Sequence, residues 1–225
     1  MEILHRDDLK LGGFAGLREH RLVTDKRVFG RRAEPGTWDG IANFVYLADA
    51  RFLPKGETRM HQHREIDVIS VMVEGRIAHE GSLEHGQQLD TNDVQAQRAG
   101  GEGFRHNEIN PDDSENRMIQ LWVLPERAGE RAGYKIYHPK EGRLTRVYGG
   151  ATDQDETLDS HTLIDVGSFA SGEKVSVEGV FLAYVTKGSG DINGEAVADG
   201  DLVRGENLEF EAMEDAQLIV VHERT

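Results

Sequence analysis

The chain has 225 residues, with 26 Lys and Arg against 41 Asp and Glu, a formal charge of −15 and no cysteine. The missing cysteine excludes disulfides, thiolate-held zinc, iron–sulfur clusters and a cysteine nucleophile, so any transition-metal site must be built from His, Asp and Glu. The acidic balance argues against a surface that grips nucleic-acid phosphates directly, and the length suits one large or two small β domains.

The start, Met1-Glu2-Ile3-Leu4-His5-Arg6-Asp7-Asp8, lacks the basic-then-apolar order of a signal peptide. No run approaches the roughly 20 apolar residues of a membrane helix, so a cytoplasmic protein without membrane contact is expected. Apolar runs at 42–47, 68–73, 118–124, 181–186 and 218–221 predict strands. Turn signals separate them, among them Glu74-Gly75, Asn110-Pro111-Asp112-Asp113 and Asn193-Gly194. Short strands with frequent turns, and no long amphipathic helix, predict an all-β sandwich or barrel.

A weak internal repeat organises these strands. Leu53-Pro54-Lys55-Gly56-Glu57 leads into His61, the 68–73 strand and Glu74-Gly75, and Phe169-Ala170-Ser171-Gly172-Glu173 leads into the 181–186 strand and Lys187-Gly188. Two copies of one small barrel account for it. The expected division is residues 1–127, a polar connecting segment at 128–160, and residues 161–225. The copies differ in chemistry, because Val175, Ser176 and Val177 occupy the region that holds His61 and His63 in the first.

His61-Gln62-His63 and His106-Asn107-Glu108 each have i, i+2 spacing, which on a strand sends both side chains to one face. Either pair alone is compatible with a solvated strand face. Together, within a stretch the size of one barrel, they make His61, His63, His106 and Glu108 a candidate mixed N/O site that suits iron, manganese, nickel or zinc.

The order Gly-x4-His-x-His, Glu-Gly, Gly-x-x-His-x-Glu resembles a cupin barrel and, more narrowly, the pirin family. The resemblance is carried by His61-Gln62-His63-Arg64, the run from Asp67 to Gly75, His79-Glu80-Gly81-Ser82, Asp93-Val94-Gln95, the run from Ala99 to Glu108, and Leu121-Trp122-Val123-Leu124-Pro125. It is dense from about residue 53 to 137 and thin elsewhere. It implies a bicupin, two tandem cupin-type β-barrels, with one divalent metal in the N-terminal barrel, usually iron(II). The ligands it implies are His61, His63, His106 and Glu108. Bacterial members resemble quercetin 2,3-dioxygenases, which open a flavonol ring with O₂, whereas animal members look like iron-dependent nuclear cofactors of transcription factors. The chain departs from the family in Arg64-Glu65-Ile66 after the second histidine and in lacking the aromatic N-terminal segment, which bears on the substrate more than on the metal.

The expected function is therefore a metal-dependent dioxygenase acting on a flavonol or other phenolic molecule, with O₂ as co-substrate and Glu108 as both ligand and catalytic base. The alternative is an iron-loaded redox-sensing or regulatory protein with a protein partner, and an isomerase acting on a sugar or small acid is a third class. A monomer is expected. Asp67 shares strand parity with the histidines and is a candidate for orienting one, against the plainer reading of a solvated edge carboxylate. His79 and His85, flanking a turn, are expected at the surface, and His138 and His161 are expected to be structural or solvated. Trp122 reads as core and Phe104 as a candidate for the site mouth. Arg59, Arg64 and Arg105 are candidates to receive an anionic substrate, Arg59 first by parity.

Overall fold

The structure is a computed structural model that describes residues 1–224. Alternating apolar residues bounded by glycine and asparagine turns make strands nearly throughout. The first, β1 (Glu2–His5), is followed by β2 (Leu11–Phe14) and β3 (Leu17–Thr24), and then by a single turn of helix, α1 (Lys26–Phe29), N-capped by Asp25. Next come β4 (Phe44–Phe52), β5 (His61–His63), β6 (Asp67–Glu74), β7 (Ile77–Gly81) and β8 (Gln88–Leu89). They are followed by β9 (Val94–Arg98), β10 (Phe104–Ile109), β11 (Asn116–Val123) and β12 (Gly133–Tyr137). The remainder is β13 (Thr145–Gly150), β14 (Ser160–Phe169), β15 (Lys174–Lys187), β16 (Ser189–Ile192), β17 (Glu195–Ala198), β18 (Asp201–Ala212) and β19 (Ala216–Glu223). The all-β expectation holds. Among the described residues no helix is long and apolar enough to cross a membrane.

Two units are distinguished. Leu9–His138 contains a seven-stranded sheet in the order β12-β9-β6-β11-β4-β3-β2 and a four-stranded sheet in the order β5-β10-β7-β8. Cross-strand register puts Met118 opposite Met72, Gln120 opposite Ser70 and Trp122 opposite Val68. These six side chains therefore share the face turned toward the smaller sheet. Phe52, Met72 and Met118 pack there against Ile77 and Leu89 of the smaller sheet and close one end of the interior. Val68, Ala99 and Phe104 pack together toward the other. Each of the larger fully buried side chains among these contributes about 1.5–3 kcal/mol. The interior between these apolar ends is polar, and it is where the site lies.

The second unit joins Met1–Asp8 to the chain from Pro139 onward. Its sheet runs β13-β14-β19-β15-β18-β16-β17, with β1 paired to β18. The cupin-type halves are thus made of sheets whose pairing orders have open ends rather than closed cylinders. The expected boundaries at 127 and 160 also give way. β12 pairs with β9 and completes the first unit's sheet, β13 pairs with β14 in the second, and β1 belongs to the second unit. β12 is half-buried throughout, and the polar residues between β12 and β13, with Glu141-Gly142 and Gly149-Gly150 as breakers, make the stretch read as a linker.

The register shows how the two halves of the repeat differ. In the first unit His61 pairs with His106 and His63 with Phe104. In the second, Val175 pairs with Phe210 and Val177 with Leu208. Val175 and Val177 lean on a core that contains Phe169, Phe181, Leu208 and Phe210. Apolar side chains thus fill the space that imidazoles line in the first unit.

One buried ion cluster in the second unit yields a pH prediction. Asp165 accepts from His222 Nε2 at 2.7 Å and from Arg146 Nε at 2.6 Å. Burial alone would raise its pKa, but those hydrogen bonds and charges outweigh it and hold the carboxyl below the ordinary carboxylate value. A depressed native pKa stabilises the fold above the unfolded value of about 3.9 and stops doing so as pH falls through the native value. Thermal melts from pH 6 to 2 should therefore fall more steeply below about pH 4 in the wild type than in Asp165→Asn. Parallel curves would remove Asp165 from the acid response.

Candidate metal centre

Two left-handed residues frame β5, Arg59 at φ 64° and Glu65 at φ 52°. The approach to it is fixed where Gly56 meets Gly16, since a Cβ on Gly56 would lie 2.2 Å from the Gly16 carbonyl oxygen. Glu65 is anchored at the other end, its carboxylate accepting from Gly129 N at 3.0 Å. The three-residue strand then pairs with β10, which brings the two sequence motifs side by side.

The three histidines meet at their Nε2 atoms. His106 Nε2 lies 2.9 Å from that of His61 and 3.1 Å from that of His63. All three ligand atoms fall within 4.8 Å of one another. Nitrogens bound at about 2.1 Å to one ion and at right angles lie about 3 Å apart, so the spacing fits adjacent ligands of a single metal. The protonation pattern fits as well. His61 Nδ1 is 2.8 Å from the Arg59 carbonyl oxygen. A carbonyl only accepts, so Nδ1 carries the hydrogen and Nε2 keeps its lone pair. Burial, with His61 adding to it, pushes His63 down to about 4, and burial with the neighbouring imidazoles pushes His106 lower still. Neutral rings with converging lone pairs are what a cation requires.

Glu108 is not part of this triplet. It sits two residues beyond His106 on the same strand face, fully buried, but its carboxylate turns to a cage of donors. Oε1 accepts from Ser70 Oγ at 3.0 Å and Gln95 Nε2 at 3.1 Å, and Oε2 from Gln120 Nε2 at 3.4 Å. Burial raises its pKa to about 7 against those hydrogen bonds, which lower it. The sequence spacing brought Glu108 to the correct face, and the donors on β6, β9 and β11 decide where its carboxylate points.

Other expectations are corrected. Asp67 is not solvated; it is fully buried and pairs with Arg98 at 3.1 Å, which also reaches Glu130 at 3.4 Å. His79 is fully buried rather than at the surface, its ring centroid 5.4 Å from that of His106. His85 is exposed, as is His138, which pairs with Asp93, and His161 is half-buried. Phe104 does line the centre, its ring 5.2 Å from His63 and 5.1 Å from His106. Arg59, Arg64 and Arg105 are all exposed.

Trp122 is the residue that sequence reasoning missed. Its ring meets His63 edge-on at 5.8 Å and stacks on Tyr46 at 4.3 Å, with Phe29 beyond at 6.2 Å. The indole N–H is buried and has no hydrogen-bond partner among the described residues. Its parity with Gln120, two residues earlier, was the available signal, but an apolar strand conceals which face looks into a site.

Fold and centre together define a cupin-type protein with one histidine-rich centre in its first unit, and they suggest a divalent metal. The chain is similar to the pirin family, whose family model matches residues 31–123. A quercetin 2,3-dioxygenase of Escherichia coli is 25% identical over 171 residues, 72% of this chain and 69% of that one. A Zymomonas mobilis protein provisionally named a quercetin 2,3-dioxygenase is 28% identical over 186 residues, 77% and 79% of the two chains. Among solved structures, the bacterial pirin YhhW of Escherichia coli in complex with nickel(II) superimposes with a TM-score of 0.81 at 18% identity, covering 98% of this chain and 97% of that one.

Proposed function

We propose that His61, His63 and His106 hold a divalent transition metal, iron(II) first among the candidates, and that the protein is a dioxygenase acting on a flavonol or related phenol. The convergence of three Nε2 atoms beside the Trp122 ring is the observation that carries this reading. A metal there would act as a Lewis acid and lower the pKa of a phenol hydroxyl. Trp122, backed by Tyr46, offers a planar surface beside the histidines for an aromatic ring. Phe104 and Val68 keep one side of the centre apolar. Glu108 is the proton acceptor in this reading, and Oε2, held by the single 3.4 Å contact from Gln120, is the freer of its oxygens. The names of the quercetin dioxygenase relatives support the substrate class.

The test is elemental analysis of purified protein, then O₂ consumption with a panel of flavonols at defined iron loading. Stoichiometric metal and flavonol-dependent O₂ uptake are expected. Trp122→Ala should raise KM about 2- to 10-fold with little change in kcat, the loss of ~0.5–1.5 kcal/mol of aromatic contact. Protein that binds no metal would end the reading. Bound metal without uptake on any phenol would replace it with a metal-loaded regulatory protein.

A further inference from the structure

Two buried nitrogens at the triplet, Nδ1 of His106 and Nδ1 of the neighbouring His79, have no hydrogen-bond partner among the described residues. Their rings are neighbours, with centroids 5.4 Å apart and planes inclined at 57°. Register accounts for the contact. On β7, His79 pairs with Glu108 and Gly81 pairs with His106. A Cβ on Gly81 would stand 2.6 Å from the Arg105 carbonyl oxygen and 3.0 Å from His79 Nε2. Glycine at 81 therefore leaves the space in which the His79 ring lies against His106.

The two nitrogens are chemically complementary. His79 Nε2 lies 3.1 Å from the Leu83 carbonyl oxygen, which only accepts, so Nε2 carries the ring hydrogen and Nδ1 is left as an acceptor. His106 is the reverse. Its Nε2 faces the other two histidines, so as a ligand it carries its one hydrogen on Nδ1, as a donor. We propose that His79 is a positioning residue of the metal centre, its Nδ1 accepting the Nδ1–H of His106 directly or across one water, and so fixing that ligand's tautomer and ring angle. The proposal rests on the reading of the triplet as a metal site.

Two further observations support it. His61 already has a partner of this kind in the Arg59 carbonyl, and ligand histidines are generally held through the nitrogen that does not bind metal. The second unit supplies an internal comparison. There Phe210 pairs with Val175 as His106 pairs with His61. β16 sets Ile192 opposite Phe210 and Gly190 opposite Ala212, the places of Gly81 and His79. Where no imidazole needs holding, the positioning histidine and its glycine are both replaced.

The test uses cobalt(II) as the probe on the full chain. In wild-type protein, hyperfine-shifted, slowly exchanging imidazole N–H resonances are expected for His61 and His106. His79→Leu should lose the His106 resonance and bind cobalt(II) about 10- to 100-fold more weakly. His79→Asn, whose amide oxygen falls near the Nδ1 position, should restore both. His79→Gln places its amide nearer the Nε2 position and should not, so the Asn and Gln pair decides the matter even if the Leu variant folds poorly. Unchanged affinity and resonances in His79→Leu would overturn the positioning role while leaving the metal reading intact. Equal weakening in the Asn and Gln variants would reduce His79 to packing. A wild type that binds no cobalt(II) would overturn both readings.

Discussion

His106→Ala is expected to abolish stoichiometric metal binding while the protein stays folded. His106 is the hub of the triplet, at 2.9 Å and 3.1 Å from its two neighbours. Removing a supporting residue outside a metal's direct ligands already weakens binding 10- to 100-fold, so loss of the hub ligand should exceed about 100-fold. The ring is buried and uncharged, so its removal leaves no uncompensated ion. Elemental analysis after dialysis, with circular dichroism for the fold, checks the result, and full occupancy in the variant would refute the site. Glu108→Gln in the same assay reports on the fourth ligand. Unchanged occupancy means that the carboxylate stays with Ser70 and Gln95, and a loss means that it turns to the metal.

The largest expected effect on stability comes from Arg98→Met. Arg98 and Asp67 stand opposite each other on β9 and β6, both buried, at 3.1 Å, and Glu130 approaches the same guanidinium at 3.4 Å. Neutralising the arginine leaves a carboxylate in the interior without its cation, which costs about 3–5 kcal/mol. For a chain of this length each kcal/mol moves Tm by about 2–4 °C, so a fall of roughly 6–20 °C is expected. The double variant Arg98→Met, Asp67→Leu should recover much of it, because replacing both members of a buried pair by apolar groups is often neutral. Calorimetry decides between the two. A single variant that melts with the wild type would show that the pair is not load-sharing, and metal loading at native temperature should be unchanged.

The parts of the centre that sequence disclosed are those governed by local period. His61, His63 and His106 could be paired because i, i+2 spacing on a strand fixes a common face. The same rule brought Glu108 to that face but could not orient its carboxylate, since Ser70, Gln95 and Gln120 come from three other strands. Asp67 shows the same limit, its parity suggesting a histidine neighbour while its partner, Arg98, was set by the register of β9. His79 read as a turn-flanking surface residue because nothing local reveals that Gly81 folds it against His106. Trp122 read as core for a similar reason. The boundaries near 127 and 160 missed β12 and β13, because the polar residues between them, with Glu141-Gly142 and Gly149-Gly150, hide pairings that only the register with β9 and β14 reveals.

The pairing of β1 with β18 has a consequence for how the molecule comes together. Arg204 donates to Glu2 across 202 residues, so the whole first unit is, covalently, a loop interrupting the second. Contacts of such long range slow folding, and on the ribosome the earliest strand must wait for the last part of the chain to be made before it has a neighbour. A fragment cut at residue 139 would lack a strand of its own sheet. A circular permutant that joins residue 225 to residue 1 and opens between residues 138 and 139 would carry the second unit as one continuous stretch.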